Sequence, residues 1–133
     1  MNKPKNILIK KPKKVEAVFL FSLIGLQPIL SISETIVELF GFNEDEFFTG
    51  KLKLKSLIHN DDKDIADLIF SNKNIPSFNK AYIKNFNLRM RHKNGSIKCI
   101  KAFCKKEFIS PETGPTMQLI LQDSKSLWKE QGH

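Results

Sequence analysis

The sequence predicts one α+β domain built on an antiparallel sheet. Three observations predict it. In the C-terminal half, apolar and polar residues alternate with period two around an Asn94-Gly95 turn signal. Short helical stretches with capping residues stand together ahead of that half. Strands and helices are therefore segregated, not interleaved as in a parallel βαβ sheet.

The elements follow in order. Residues 15–24 are apolar at nearly every position, rich in β-branched and aromatic types, and end at Gly25. They read as a buried strand, although periodicity alone does not separate such a run from a helix. Residues 26–33 read as a second, shorter strand, with Pro28 at its edge or start because proline has no N–H for a ladder. A helix comes next, with Ile36, Val37, Leu39 and Phe40 as its apolar stripe. Ser33 or Thr35 can cap it, Thr35 and Glu38 have capping-box spacing, and Gly41 is placed to end it. Asn43 with Glu46 opens a second helical turn backed by Phe47 and Phe48. A third helix starts at Asp61-Asp62, whose carboxylates can accept from the free N–H groups of a first turn. Ile65, Leu68 and Ile69 fall at i, i+3 and i+4 as one buried face, and residues 72–76 break the helix.

The period then changes. Tyr82, Phe86, Leu88 and Met90 alternate with polar residues that include Asn85, Asn87, Arg89 and Arg91. Asn94-Gly95 supplies the positive φ of a type I′ hairpin turn. Residues 97–109 return as a long strand, with Ile97, Cys99 and Phe103 on one face and Ile100, Ala102, Cys104 and Phe108 on the other. Both faces are apolar, so a cover is expected on the second: an N-terminal segment or another subunit. Residues 116–122 form the last strand, with Met117, Leu119 and Leu121 on one face.

Composition bounds the rest. The 133 residues are one domain's worth, and an apolar fraction of 41% supports one core. No window reaches the ~18 consecutive apolar residues of a membrane span, and no apolar stretch of a secretory leader follows the first lysines. The net charge of +8 is unevenly placed: residues 1–14 hold six Lys and no acid, and the remainder carries sixteen basic against fourteen acidic residues. Residues 1–14 thus read as a basic arm or linker, residues 15–123 as the domain, and residues 124–133 as the start of a connecting helix or tail. Cys99 and Cys104 are five residues apart in one strand. That spacing puts them on opposite faces and about 17 Å apart at ~3.4 Å per residue, too far for a disulfide. Two free thiols fit a reducing compartment, so a cytoplasmic location is expected.

Four stretches resemble the PAS sensor-domain family. Ile29-Leu30-Ser31-Ile32-Ser33 through Ile36, Leu39 and Phe40-Gly41-Phe42 is similar to the family's strand, Ser, helix and Gly-Tyr passage. Leu57-Ile58-His59-Asn60-Asp61-Asp62 resembles its Ile-His-Pro-x-Asp turn, with Asn60 in place of Pro. Residues 86–95 resemble its strand ending in Arg-x-x-x-Lys-Asp-Gly, with Asn94 in place of Asp. Leu121-Gln122-Asp123 resembles the end of its last strand, where Ser124 and Lys125 replace Ile-Thr and only Asp123 of that motif remains. The resemblance runs in order over about residues 15–128.

It implies a five-stranded antiparallel sheet with short helices packed on one face, enclosing a pocket. It also implies a non-enzymatic module that senses a small molecule or partner and relays the change to an effector, often as a dimer. The family's effectors include histidine kinases, cyclic-di-nucleotide enzymes and chemoreceptors. The pocket candidates are Ile36, Phe40, Leu57, Ile65, Leu68, Ile69, Phe86, Leu88, Met90, Met117 and Leu119, and Asp123 is the candidate relay. Covalent flavin and haem are not expected. Cys99 and Cys104 lack the Asn-Cys-Arg-Phe context of flavin photoadducts, and His59 sits in a turn with no second ligand at helical spacing. No metal site and no catalytic set emerges from three scattered histidines. The alternative is a small nucleic-acid-binding module using the Lys-rich arm. The sheet argues against it, since the apolar and aromatic positions of residues 82–90 alternate away from Arg89 and Arg91 instead of sharing a basic face with them.

Overall fold

The computed structural model describes residues 15–71 and 73–124. The arm at 1–14 and the connecting segment from residue 125 onward lie outside the described residues. Five strands form one sheet: β1 (Glu16–Ser22), β2 (Ile29–Ile32), β3 (Ala81–Arg91), β4 (Ile97–Glu107) and β5 (Thr116–Asp123). Their spatial order is β2-β1-β5-β4-β3, and every neighbouring pair is antiparallel. Three short α-helices, α1 (Ile36–Phe40), α2 (Glu44–Phe48) and α3 (Lys63–Phe70), lie between β2 and β3, with 3-10 turns at Leu54–Leu57 and Asn60–Asp62.

Register decides which side chains meet the helices. Phe19 pairs with Leu119, Leu119 with Cys104, and Ala102 with Phe86. Period-two alternation then puts Ala17, Phe19 and Phe21 on the same face as Met117, Leu119 and Leu121, with Ile100, Ala102, Cys104, Phe86, Leu88 and Met90. All of these are buried in one core with Ile36, Leu39 and Phe40 of α1, Phe47 of α2, and Ala66 and Ile69 of α3. The helices cover this inner face because none of them is long enough to bury its own stripe alone.

Several local expectations hold. Gly41 ends α1 at φ +82°, and a Cβ there would meet His92 Cε1 at 2.8 Å, so both conformation and space require glycine. Asn43 Oδ1 accepts from Glu46 N at 3.1 Å and Glu46 Oε2 from Asn43 N at 3.0 Å, a complete capping box. Cys99 and Cys104 lie on opposite faces of β4 as free thiols.

Five expectations are corrected. The β3–β4 turn is not type I′: Gly95 is at φ +92° but Asn94 is not at positive φ, and Gly95 N donates to the His92 carbonyl at 2.9 Å. β1 ends at Ser22, not at residue 24, and β2 begins at Ile29, after a turn containing Gly25 and Gln27 at φ +67° and +57°. The Thr35–Glu38 capping box does not form: the Thr35 hydroxyl donates to the Glu16 carbonyl, and Ser33 Oγ accepts from Val18 N at 2.8 Å. Both hydroxyls tie α1 to β1 instead. Asp62 stands at the N-cap of α3 but makes no capping bond, because its carboxylate is committed to Arg89. Leu68 is 44% exposed. The stripe of α3 is Ile65, Ala66, Ile69 and Phe70, and at about 100° per residue Leu68 falls well to one side of it.

Candidate functional site

Of the eleven pocket candidates, Ile36, Phe40, Leu57, Ile69, Phe86, Leu88, Met90, Met117 and Leu119 are buried in one cluster. Ile65 packs at its margin, and Leu68 faces outward. None of the eleven lines the open groove beside Phe21.

That groove, of about 440 Å³, lies at the β1–β2 end of the inner face. Its walls are Phe21 at the end of β1, the turn entering β2 with Pro28 and Ile29, Phe47 and Phe48 of α2, the segment 52–55, and Phe70 at the end of α3. Phe21 and Phe70 meet edge to face, with ring centroids 5.7 Å apart at 87°. Gln27 Nε2 donates to the Phe70 carbonyl at 3.4 Å, joining the β1–β2 turn to the end of α3. Lys53 and Lys55 line the same groove, with Lys55 paired to Asp67 at 3.1 Å. The sequence held one signal for this site. Phe47 and Phe48 are adjacent in a five-residue helix, about 100° apart around its axis, so they meet different surroundings. Phe47 is buried, and Phe48 is 48% exposed.

The opposite end is closed by charge and backbone pairing. Ile58 bridges Met90, and His59 N donates to the Arg89 carbonyl at 2.9 Å, so the segment ahead of α3 adds to the free edge of β3. Asp62 completes the edge. Its Oδ2 accepts from Arg89 N at 2.8 Å and from Arg89 Nε at 3.0 Å, and its Oδ1 accepts from Arg89 Nη2 at 2.9 Å. These bonds hold the Asp62 carboxyl below its ordinary range and raise the Arg89 guanidinium. His59 takes the capping role expected of the two aspartates: its Nδ1 accepts from Asp61 N at 3.1 Å. His92 behaves likewise in the hairpin, accepting from Asn94 N at 3.0 Å.

Lys106 was not anticipated. It is fully buried on the inner face of β4, two residues from Cys104. Its Nζ donates to the carbonyls of Ser71 at 3.2 Å and Leu68 at 3.5 Å, and sits 5.8 Å from the Tyr82 ring centroid. The ammonium therefore satisfies carbonyls at the end of α3, where the helix dipole favours a cation. Burial pushes its pKa down and pushes the Cys104 thiol up. Strand parity alone, placing residue 106 with 100, 102 and 104, was the signal for it. Asp123, the relay candidate, pairs with Lys98 at 3.2 Å. Its Oδ1 is buried with no hydrogen-bond partner among the described residues. No group of three His, Cys, Asp or Glu among the described residues is placed to hold a metal ion.

Comparison with solved structures places this architecture. A sensory box histidine kinase/response regulator domain from Geobacter sulfurreducens matches with a TM-score of 0.56 at 17% identity, covering 82% of this chain and 83% of that one. The PAS domain of an HTR-like protein from Haloarcula marismortui matches with a TM-score of 0.58 at 12% identity, covering 82% and 81%. The PAS domain of the fruit-fly ELK potassium channel matches with a TM-score of 0.57 at 14% identity, covering 82% and 85%. At these identities the likeness is one of fold. No curated protein sequence matches the chain. A family model described as the PAS fold matches residues 29–115. That match takes in every element from β2 to the loop before β5, and the chain belongs to the PAS fold family.

Proposed function

We propose that this chain is a non-catalytic regulatory sensor domain that binds a small molecule or partner and relays the change to an effector. One observation carries the reading. β1 and β5 are neighbours, with Glu16 opposite Gln122 and Asp123 N donating to the Val15 carbonyl at 3.3 Å. The described chain thus begins and ends on neighbouring strands at one end of the sheet. The other end of β1 supplies Phe21 to the open groove. A ligand that repositions Phe21 acts on a strand whose far end pairs with the end of β5, and a packed sheet transmits such a shift instead of absorbing it.

The finer parts of the reading follow the same logic. The sensor works without covalent flavin or haem, since both thiols are buried on β4 and the His59 ring is engaged in a turn. It pairs with a second copy through the outer face of the sheet, where Val18, Leu20, Phe103 and Ile120 are only partly covered. Residues 1–14 serve as a linker or arm, residues 15–123 as the sensor and residues 124–133 as the connection to the effector. No helix among the described residues is long and apolar enough to cross a membrane. The two free thiols favour the cytoplasm.

The test is thermal unfolding of the purified chain against a small-molecule panel, with an absorption spectrum, native mass spectrometry and light scattering. The reading expects at least one compound that raises the melting temperature and moves amide signals along β1 and β5. A panel in which no compound does so overturns the sensor role, and a Soret band or a photocycling flavin spectrum overturns the cofactor part. A strict monomer at high concentration overturns the pairing.

A further inference from the structure

We infer that the groove at the β1–β2 end takes an amphipathic carboxylate, with its apolar body between the phenylalanines and its anionic head at Lys53. The inference rests on the sensor reading above and names the ligand class and its place.

Three features of the groove define the ligand. Its size, about 440 Å³, is that of small-molecule sites, and it opens to solvent along one side. Most of its lining residues are apolar, with Gln27, Lys53 and Lys55 as the polar side chains among them, and Phe48 on one wall is 48% exposed while Leu26 on another is fully exposed. Side chains of that size left in water gain from an apolar occupant. The charge is one-sided: the lining residues include two lysines and no carboxylate. Lys55 is already paired with Asp67. Lys53 has no ion-pair partner among the described residues, so it is the cation free to meet an anion. An apolar body with a single negative head satisfies both demands. A neutral amphiphile leaves Lys53 unmet, and a cationic one is repelled.

The place also accounts for how binding would be felt. Gln27 links the β1–β2 turn to the Phe70 carbonyl, and Phe21 packs edge-on against Phe70. An apolar chain entering here contacts β1, α2 and the end of α3 together. The same end of α3 is held by Lys106 through the Leu68 and Ser71 carbonyls, so the occupied groove bears on a helix already fixed to β4.

The experiment titrates the isotopically labelled full chain with sodium decanoate below its micellar concentration, following amide signals. Decyltrimethylammonium and decanol serve as charge controls. Saturable shifts are expected at Gln27, Gly50, Leu52, Lys53 and Phe70, with none at Lys101 and Phe103 on the outer face. Lys53→Gln is expected to weaken decanoate about two- to fivefold, the scale of an exposed charge contact, and to leave decanol unchanged. Phe48→Ser and Leu26→Ser are exposed changes that leave the fold intact by circular dichroism, and each is expected to weaken both decanoate and decanol. Equal binding of the cationic amphiphile, shifts confined to the outer face, or an unchanged decanoate affinity in Lys53→Gln overturns the inference. If decanoate fails while a panel compound stabilises the chain and moves amides along β1 and β5 together with those of Leu88 and Met90, this inference falls and the sensor reading stands. If no compound binds anywhere, both fall.

Discussion

The two ends of the helix-covered face are filled to different degrees. Over β3 and β4, Leu88, Met90 and Ile100 are buried in one cluster with Leu57 and Ile69. At the β1–β2 end, Phe48 stands half in water and Leu26 entirely so, around an open groove. The covering segments arrive differently. At the β3 end the chain pairs with the strand edge through Ile58 and His59, and Asp62 clamps Arg89. At the groove, contact between β1 and its cover runs through phenylalanine edges and the Gln27 side chain. Backbone pairing fixes the distance between a cover and its sheet, and side chains close the remainder. Ring-to-ring contact leaves that distance free, and space remains.

The largest expected effect tests the filled end. Leu88→Ala removes a side chain that is 3% exposed and should cost about 2–5 kcal/mol. Leu26→Ala at the open end should change stability by less than about 0.5 kcal/mol. Chemical denaturation of both variants checks the contrast, and similar losses would erase it.

The clamp comes next. Asp62→Ala leaves Arg89 N and its guanidinium without their partner and should cost about 1–3 kcal/mol. The same pair predicts a pH dependence. The folded-state pKa of Asp62 is lowered, so its contribution is present above the unfolded carboxylate pKa and is lost as pH falls through the folded value. Stability measured from pH 6 downward should therefore fall more steeply below about pH 4 in the parent than in Asp62→Asn. Equal slopes would remove the clamp from the account.

Lys106 sharpens the comparison from the other direction. Its folded pKa is lowered by burial, so the unfolded chain holds its proton more tightly. Stability should gain a contribution as pH rises from the folded pKa toward the ordinary lysine value of about 10.4, and Lys106→Met should lack that gain. Parallel pH profiles would refute this. The smallest effect is expected from Lys53→Gln. Lys53 is exposed on the groove, so its melting temperature should match the parent's even if its ligand affinity does not.

Much of the architecture was legible because its signals are local. Asn43–Glu46 and Gly41 work within one turn of helix, and Asn94-Gly95 within one hairpin. The faces of β3, β4 and β5 follow from parity, which needs no partner to be known. The candidate site was less legible. The apolar stripes mark residues of the core, and the groove joins a few core residues, Phe21 and Phe47 among them, to residues outside any stripe: loop residues such as Leu26 and Pro28, and Phe48 on the side of α2 facing away from the core.

By itself, the sequence determined the elements, the end signals at Gly41 and Asn43–Glu46 and the faces of the strands, because those depend on contacts within a few residues. It also carried the family resemblance, through short motifs in a fixed order. The tertiary structure alone decided that β5 stands at the centre between β1 and β4, that Asp62 turns from its own helix to Arg89, and that Lys106 is buried beneath the end of α3. It also decided that an open groove lies beside Phe21. Each of those outcomes joins residues far apart in the chain, where long-range register, desolvation and competing partners outweigh the local preference.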